Sequence, residues 1–283
     1  MNQLDLSFTQ AYSIATASYD CLELVLIGCG GTGSWLAPTI TRLAWIIQES
    51  GKQVHICFAD PDTIESVNIP RQNFCNAEVG ANKAKALALR YSLTWGLDIA
   101  AVPERFTTQM VQHRYRTLTL LIGCVDNAAG RSIISSTLDS NSDNQAPQVW
   151  WLDCGNGENG GQVLLGSAVR SEQMHIAFPK PRGNIALSLC MALPAPSVQH
   201  PELLVPLPEE QSEHHLSCAQ LAVRNAQSLS INQRVAVEAS DYLLRLLVNK
   251  NLQRFATYFD MASGSCKSRY IVPKEVEAIF ISE

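Results

Sequence analysis

The sequence LELVLIGCGGTG, residues 22–33, carries the strongest local signal in the chain. Its first half is an apolar run of strand length, and its second half places four glycines within six residues, just before a helix-forming segment. Gly28 permits a tight turn, while Gly30 and Gly31 let the backbone approach a phosphate group without an intervening Cβ. The N–H groups of the turn and the dipole of the helix then favour an anion. The pattern predicts a strand–turn–helix unit that binds a nucleotide phosphate.

The spacing Gly28-x-Gly30-x-x-Gly33 also fits a dinucleotide-binding turn. Asp60 follows the next apolar run, 27 residues past Gly33, and a carboxylate at that place can accept hydrogen bonds from ribose hydroxyls. Because ATP and NAD share this ribose, these features predict a nucleotide site without choosing between the two ligands.

Outward from this turn, strand and helix signals alternate along the first half of the chain. This alternation predicts a Rossmann-like α/β fold, with a largely parallel sheet flanked by helices. The predicted strands are residues 22–27, 54–59, 99–102, 118–122, 149–152 and 163–165, and the predicted helices are residues 32–48, 83–91 and 131–138.

The second half of the chain begins with a proline-rich stretch, residues 193–215, which we expect to be a surface crossover loop. A long amphipathic helix is predicted over residues 218–250, followed by antiparallel strands at residues 254–259 and 269–272 with a turn around Gly264. We expect residues 1–283 to form a single domain, with its nucleotide-binding half at about residues 20–166 and its C-terminal helices and strands at 216–283.

Composition narrows the class of protein. Hydrophobic residues make up 46% of the chain and charged residues 17%, which suits a large core, and the formal charge of −5 argues against nucleic acid as a partner. There is no apolar run of membrane-spanning length and no secretory signal pattern. The nine cysteines include no Cys-x-x-Cys pair, and Cys57 and Cys124 lie in apolar runs. We therefore expect buried reduced thiols, a cytoplasmic protein and no structural zinc.

A polar segment after the second predicted strand distinguishes between the nucleotides. It places Arg71 and Lys83 beyond one strand end, where the neutral nicotinamide half of a dinucleotide has no need of them. A triphosphate does, because arginine binds its oxygens in pairs and lysine supplies a point charge. Asp126 follows another apolar strand, at the same edge of a parallel sheet, and a carboxylate there suits Mg²⁺. Singly, each would be expected as a surface charge or a helix cap, so the prediction depends on their joint placement.

The segments GCGGTGS, FADPDTIESVNIPRQNF, VGANKAKAL and IGCVDNAAGR together resemble the ThiF/MoeB family, the bacterial relatives of ubiquitin-activating enzymes. The resemblance covers roughly residues 20–166 and implies ATP and Mg²⁺ as cofactors. The site that it implies comprises Asp60 on the ribose, Asn68, Arg71 and Lys83 on the phosphates with Gln72 close by, and Asp126 on Mg²⁺.

The C-terminal segments LSCAQLAVRNAQSLSINQRVAVEASDYLLRLL and FDMASGSCKSRYIV are similar to ThiF-like proteins of the PRTRC plasmid cassettes, which also encode a ubiquitin-like protein. The resemblance implies a homodimer that adenylates the C-terminal carboxylate of such a partner and releases pyrophosphate. Cys218 matches the reactive cysteine of some sulfur-transfer relatives, and it is equally interpreted as a small apolar helix residue. Cys190, inside an apolar run, is a poorer candidate.

Two departures from the family keep other functions open. First, relatives with zinc carry paired Cys-x-x-Cys motifs, and this chain has none. Second, many relatives donate an arginine from the partner subunit's N-terminal segment, yet residues 1–41 of this chain contain no Lys or Arg. The second departure favours a non-catalytic adaptor for a ubiquitin-like tail. An enzyme that adenylates a small molecule or a peptide carboxylate, and an NAD-dependent oxidoreductase, are further alternatives. We expect His200, His214 and His215 to be solvated loop residues.

Overall fold

The computed structural model of the protein describes residues 6–112, 114–157, 160–179, 188–206 and 218–280, with side chains in all of these ranges except 218–229. The strands are β1 Ser13–Ile14, β2 Cys21–Ile27, β3 Gln53–Ala59, β4 Ile99–Val102, β5 Thr117–Gly123, β6 Val149–Asn156, β7 Gly160–Gly166, β8 Leu189–Cys190, β9 Arg254–Asp260 and β10 Cys266–Tyr270. The α-helices are α1 Gly31–Glu49, α2 Lys83–Trp95, α3 Ala128–Thr137, α4 Pro196–Gln199, α5 Cys218–Leu244 and α6 Pro273–Ala278.

Eight strands form one mixed sheet in the order β10-β9-β7-β6-β5-β2-β3-β4. Five neighbouring strands in this order, β6, β5, β2, β3 and β4, run parallel to one another. Strand β7 is antiparallel to both β6 and β9, and β10 is antiparallel to β9. The prediction of a largely parallel Rossmann-like sheet with C-terminal antiparallel strands is confirmed. The two short strands β1 and β8 pair in parallel as a separate small sheet.

The sheet is buried because helices cover both of its faces. One core contains the buried sides of α1, α2 and α5, in which Leu36, Leu87 and Tyr242 are fully buried. A second, smaller core lies on the other face, where Ile134 of α3 packs with Trp151 of the sheet. Every residue of β5 is buried, which is the pattern expected of a central parallel strand.

The long C-terminal helix α5 packs along α1, the helix that follows the glycine turn. Its buried stripe repeats at helical spacing through Ile231, Val235, Ala239 and Tyr242. A π-helical turn, Arg245–Asn249, continues it. This packing brings the C-terminal third of the chain against the predicted nucleotide-binding half.

Several local predictions need correction. The last strand is Cys266–Tyr270 and not residues 269–272, because the Gly264 turn is tight and pairing starts at once. The proline-rich stretch contains α4 and a 3-10 turn, Pro201–Leu204, and each begins with a proline at its first turn. Cys57 and Cys124 are half-buried, since Cys57 lies at the border of the smaller core and Cys124 at the border of the larger one.

Of the three histidines predicted to be solvated loop residues, the structure describes only His200, and for it the prediction is wrong. His200 is not a solvated loop residue: its Nδ1 lies 2.8 Å from Glu202 Oε1 and its Nε2 lies 2.6 Å from the Tyr258 hydroxyl. It is held there because the chain segment after α4 packs on the antiparallel part of the sheet. His214 and His215 lie outside the described residues.

Candidate functional site

The glycine turn lies between the ends of two parallel strands, β3 and β5. The N–H of Gly28 donates to the Ala59 carbonyl at 2.9 Å, and Cys124 N–H donates to the Ile27 carbonyl at 2.7 Å. Gly28 has a φ of +88°, and a Cβ there would lie 2.6 Å from the Cys124 carbonyl oxygen. The turn therefore needs glycine both for its backbone conformation and for the space between β3 and β5.

Helix α1 begins within this turn. Its N-cap is Gly30, which has no side chain to cap the first N–H groups, so these donors and the positive end of the helix dipole can interact with an anion. A Cβ at Gly33 would overlap the Gly28 carbonyl oxygen, which explains the close approach of the helix to the strand. A Cβ at Gly30 would meet only Gln72 Nε2, at 3.6 Å, so the surface over Gly30 has room for a phosphate.

Asp60, at the end of β3, is tied directly to the glycine turn. Only 5% of its surface is exposed, its Oδ2 accepts from Cys29 N–H at 2.6 Å, and its Oδ1 accepts from Asp62 N–H at 2.8 Å. Burial raises the pKa of Asp60, while these two hydrogen bonds and the charge of Lys83 act against that rise. The carboxylate is thus fixed beside the glycine turn, at the place where a Rossmann-like fold holds ribose hydroxyls.

Lys83 is the first residue of α2, and the start of that helix is fastened to the end of β3. Asn82 Nδ2 donates to the carbonyls of Asp60 and Asp62 at 2.8 and 2.9 Å, and Asn82 Oδ1 caps the helix by accepting from Lys85 N–H at 3.1 Å. Lys83 is 7% exposed, and its Nζ lies 2.8 Å from Asp62 Oδ2. The structure therefore places a buried ammonium group against Asp62, close enough for its charge to act on Asp60.

Residues 68–72 also contact the start of α1. The Arg71 carbonyl accepts from Trp35 Nε1 of α1 at 3.1 Å, which anchors this segment beside the glycine turn. Gln72 is 4% exposed, and its Oε1 has no hydrogen-bond partner among the described residues. Such an oxygen can accept from a hydroxyl or amino group of a bound ligand. Asn68 Oδ1 accepts from Glu65 N–H at 3.0 Å, so part of its amide stabilises the local 3-10 turn.

Asp126 is exposed just past β5, at the same edge of the sheet as the glycine turn. Helix α3 is capped by Asn127, whose Oδ1 accepts from Gly130 N–H at 2.8 Å, so the cap role is not taken by Asp126. Within the described part of the chain, its carboxylate accepts a 3.3 Å hydrogen bond from Asn127 Nδ2. No group of three or more His, Cys, Asp or Glu side chains converges within the described residues. One carboxylate of this kind fits Mg²⁺ that takes its other ligands from phosphates and water.

Sequence reasoning missed an ion pair beside this edge. Asp153, in the C-terminal part of β6 and paired with Gly123 of β5, is fully buried, and its Oδ1 accepts from Arg131 Nε at 3.1 Å. Burial raises the pKa of Asp153, and the Arg131 charge opposes that rise. The sequence feature that indicates this ion pair is a lone carboxylate in the apolar run VWWLDC. A carboxylate needs a cation when it is buried.

Asn232 of α5 was also missed, although it reaches the glycine turn from the far end of the chain. It is 1% exposed, and its amide group lies against Gly31, where an added Cβ would come within 2.7 Å of Nδ2. Its sequence signal was a polar residue within the apolar stripe of α5.

The cysteines of the described residues differ in the exposure of their side chains, from buried to exposed. Cys29 and Cys190 are fully buried, and burial raises the pKa of Cys190 to about 12 and that of Cys29 well above its ordinary value. Both thiols are therefore unreactive near neutral pH. Cys218 is the first residue of α5, and its side chain lies outside the described part of the chain.

Together, the fold and the site define a Rossmann-like α/β protein with a glycine turn at the start of α1 and a buried carboxylate at the second strand end. Residues 18–144 match the model of the ThiF family. The matched residues include the glycine turn, Asp60, residues 68–72, Lys83 and Asp126. Asn232 and Asp153 lie beyond them.

Several solved structures resemble this chain in fold at low sequence identity. Escherichia coli MccB with ATP has a TM-score of 0.51 at 13% identity, over 88% of this chain and 64% of MccB. MccB with AMPCPP and MccA has a TM-score of 0.52 at 14% identity, over 89% and 64%. PaaA has a TM-score of 0.51 at 14% identity, over 88% and 64%.

The chain thus spans about 64% of the length of these proteins, and the likeness shows a shared fold. No curated protein sequence matches the chain significantly. Among the described residues, none of the helices is both long enough and apolar enough to span a membrane.

Proposed function

We propose that this protein binds ATP and adenylates the C-terminal carboxylate of a small protein or peptide, and that the partner is a ubiquitin-like protein of the kind encoded beside PRTRC ThiF-like proteins. The observation that carries the proposal is the uncapped start of α1, which lies with Asp60, Gln72 and Lys83 at one edge of the sheet. MccB, a neighbour in fold, has been crystallised with ATP. The ThiF-family match covers the same residues.

In the proposed reaction, a carboxylate oxygen of the partner attacks the α-phosphorus of ATP. The bond from that phosphorus to the bridging oxygen breaks, and pyrophosphate leaves with that oxygen, so that an acyl-adenylate remains. The N–H groups around Gly30–Gly33 would hold phosphate oxygens, and Asp60 would hold the ribose. Asn68, Arg71 and Lys83 would bind the phosphates, so catalysis would consist mainly of positioning and charge stabilisation.

Asp126 would hold Mg²⁺ and would not act as a base, because it is exposed and contacts the neutral amide of Asn127. When bound there, Mg²⁺ would offset negative charge on the phosphates and the leaving group. A buried base is not required, since the attacking group is already a carboxylate at neutral pH.

The test is pyrophosphate exchange into ATP, measured with candidate ubiquitin-like proteins and with the same proteins carrying a C-terminal amide. The proposal predicts exchange with the free carboxylate, none with the amide, and loss of exchange in Arg71→Ala and Asp126→Ala. Asp98→Ala, at an exposed position beyond α2, is the matched control for loss of an aspartate. Exchange with unrelated peptides and not with ubiquitin-like proteins would keep adenylation and overturn the proposed partner.

A second function, that of a non-catalytic adaptor, is favoured by the absence of Lys and Arg from residues 1–41. It predicts ATP binding without exchange for any partner. The resemblance also leads us to propose a homodimer, and the exposed Leu89 and Leu93 on one side of α2, 64% and 78% exposed, offer apolar surface for it. Sedimentation equilibrium with Leu93→Lys tests this: an unchanged dimer mass would show that α2 is not the contact.

Transfer of the acyl group to Cys218 is a further proposal, supported by the position of this residue at the start of α5. The thiol would displace AMP to form a thioester. The measurement is intact mass spectrometry of a conjugate that hydroxylamine or thiols cleave. If Cys218→Ala forms the conjugate in the same yield, Cys218 has no part in the reaction.

A further inference from the structure

A side chain from the C-terminal third of the chain holds the phosphate turn in place. Asn232, on α5, is 200 residues distant from Thr32, yet Thr32 Oγ1 donates to Asn232 Oδ1 at 3.4 Å. Asn156, at the end of β6, donates to the same oxygen through its Nδ2. On the other side, Asn232 Nδ2 donates to the Arg71 carbonyl at 3.4 Å.

These contacts require an amide in particular. The oxygen accepts from two groups while the nitrogen donates to a carbonyl, so a carboxylate of the same size could not make the Arg71 contact. The side chain is 1% exposed and sits in the apolar stripe of α5 between Ile231 and Val235, where a polar group is costly unless it is hydrogen-bonded. The glycine at position 31 makes room for it, because a Cβ there would lie 2.7 to 2.9 Å from the Asn232 amide atoms.

We propose that Asn232 is a positioning residue that sets the glycine turn and the Arg71 segment relative to each other, so that both meet one triphosphate. The inference rests on the proposed ATP site and goes beyond it, because Asn232 lies outside residues 18–144, which match the ThiF family. The phosphate site is then incomplete without α5, and binding of the triphosphate depends on how α5 packs on α1.

The experiment compares the dissociation constants of ATP and adenosine, measured by calorimetry, for the wild-type protein, Asn232→Asp and Asn232→Ala. Because Asn232 contacts the turn and the Arg71 segment, we expect ATP affinity to fall about tenfold or more while adenosine affinity changes less than twofold. A merely structural role would weaken both ligands alike. Tyr242→Phe is the matched control: it removes another buried polar contact of α5, 3.0 Å to Thr257 Oγ1, and should leave the ATP-to-adenosine ratio unchanged.

Asn156→Ala provides a second test that does not risk the fold, because Asn156 is exposed. It removes one donor to Asn232 and should weaken ATP binding by about two- to threefold, with adenosine binding unchanged. Wild-type ratios in Asn156→Ala and in folded Asn232→Asp would overturn the positioning role and leave the proposed function standing. A wild-type protein that binds no ATP would overturn both.

Discussion

The carboxylate of Asp60 accepts a hydrogen bond from the backbone N–H of Cys29 at 2.6 Å, which joins the end of β3 to the glycine turn after β2. The other carboxylate oxygen accepts from Asp62 N–H at 2.8 Å, in the segment that fastens α2 and Lys83. One buried side chain therefore fixes the relative position of the proposed phosphate turn and the proposed phosphate-binding lysine.

Asp60→Asn is expected to lower both stability and ATP affinity. The amide keeps the size of the carboxylate but offers one acceptor oxygen, so either Cys29 N–H or Asp62 N–H loses its partner, at a cost of about 1–3 kcal/mol in the free energy of unfolding. ATP affinity should fall by about tenfold as the turn loosens. Urea denaturation and calorimetry measure the two effects. Asp98→Asn, at an exposed site, is the control, and equal ATP affinity in both variants would contradict the role of Asp60.

Gly28→Ala is expected to destabilise the protein by about 2–4 kcal/mol, because the new Cβ adds a clash to an unfavourable backbone conformation. The control is Gly51→Ala, at the end of α1. Gly51 has nearly the same φ, +87° against +88°, but a Cβ there meets nothing within 4 Å. That variant should lose only about 1 kcal/mol. Equal losses in the two denaturation curves would show that contact with the Cys124 carbonyl does not matter.

Arg131→Met is expected to cost about 3–5 kcal/mol of unfolding free energy, because it leaves the fully buried Asp153 carboxylate without its cation. Arg170→Met removes arginine from a surface cluster with Asp139 and Asp143, where the arginine side chain is 40% exposed, and should cost less than about 1 kcal/mol. Thermal and urea denaturation provide the comparison. Adding Asp153→Leu to Arg131→Met should recover part of the loss, and failure to recover any would mean that the cost is not electrostatic.

Glu78 forms an ion pair with Arg90 of α2. This ion pair predicts that the stability of the protein depends on pH. Burial alone would raise the pKa of Glu78, but the hydrogen bonds and charge of Arg90, together with hydrogen bonds from Cys75, outweigh it, so the pKa is lowered from its ordinary 4.5. A lowered carboxyl pKa contributes stability that is fully present above pH 4.5 and is lost as the pH falls through the folded-state pKa.

Glu78→Gln tests this pH dependence. The variant should be about 1–3 kcal/mol less stable than the wild type at about pH 7, and the difference should shrink as the pH falls to about 3. Urea denaturation at several pH values measures it. A difference that stays constant with pH would mean that Glu78 acts through packing and not through its charge.

Local patterns in the sequence were enough to predict most of the parallel half of the fold. The glycines of the turn, the apolar runs that became β2, β3 and β5, and the start of α2 at Lys83 are specified by residues close to one another in the chain. For the same reason the sequence could place Asp60, Lys83 and Asp126 at one edge, because parallel strands end on the same side of a sheet. The antiparallel direction of β7 was not foreseen, since strand direction depends on pairing with β6 and β9.

By itself, then, the sequence determined a glycine-rich strand–turn–helix unit, the alternating α/β pattern and the set of charged residues at the strand ends. Only the tertiary structure decided that Asn127 caps α3 in place of Asp126, that Arg131 neutralises Asp153, and that Asn232 holds the glycine turn. The physical reason is range: turn and helix signals arise between neighbours in sequence, whereas a buried polar group takes its partner from whichever element packs against it.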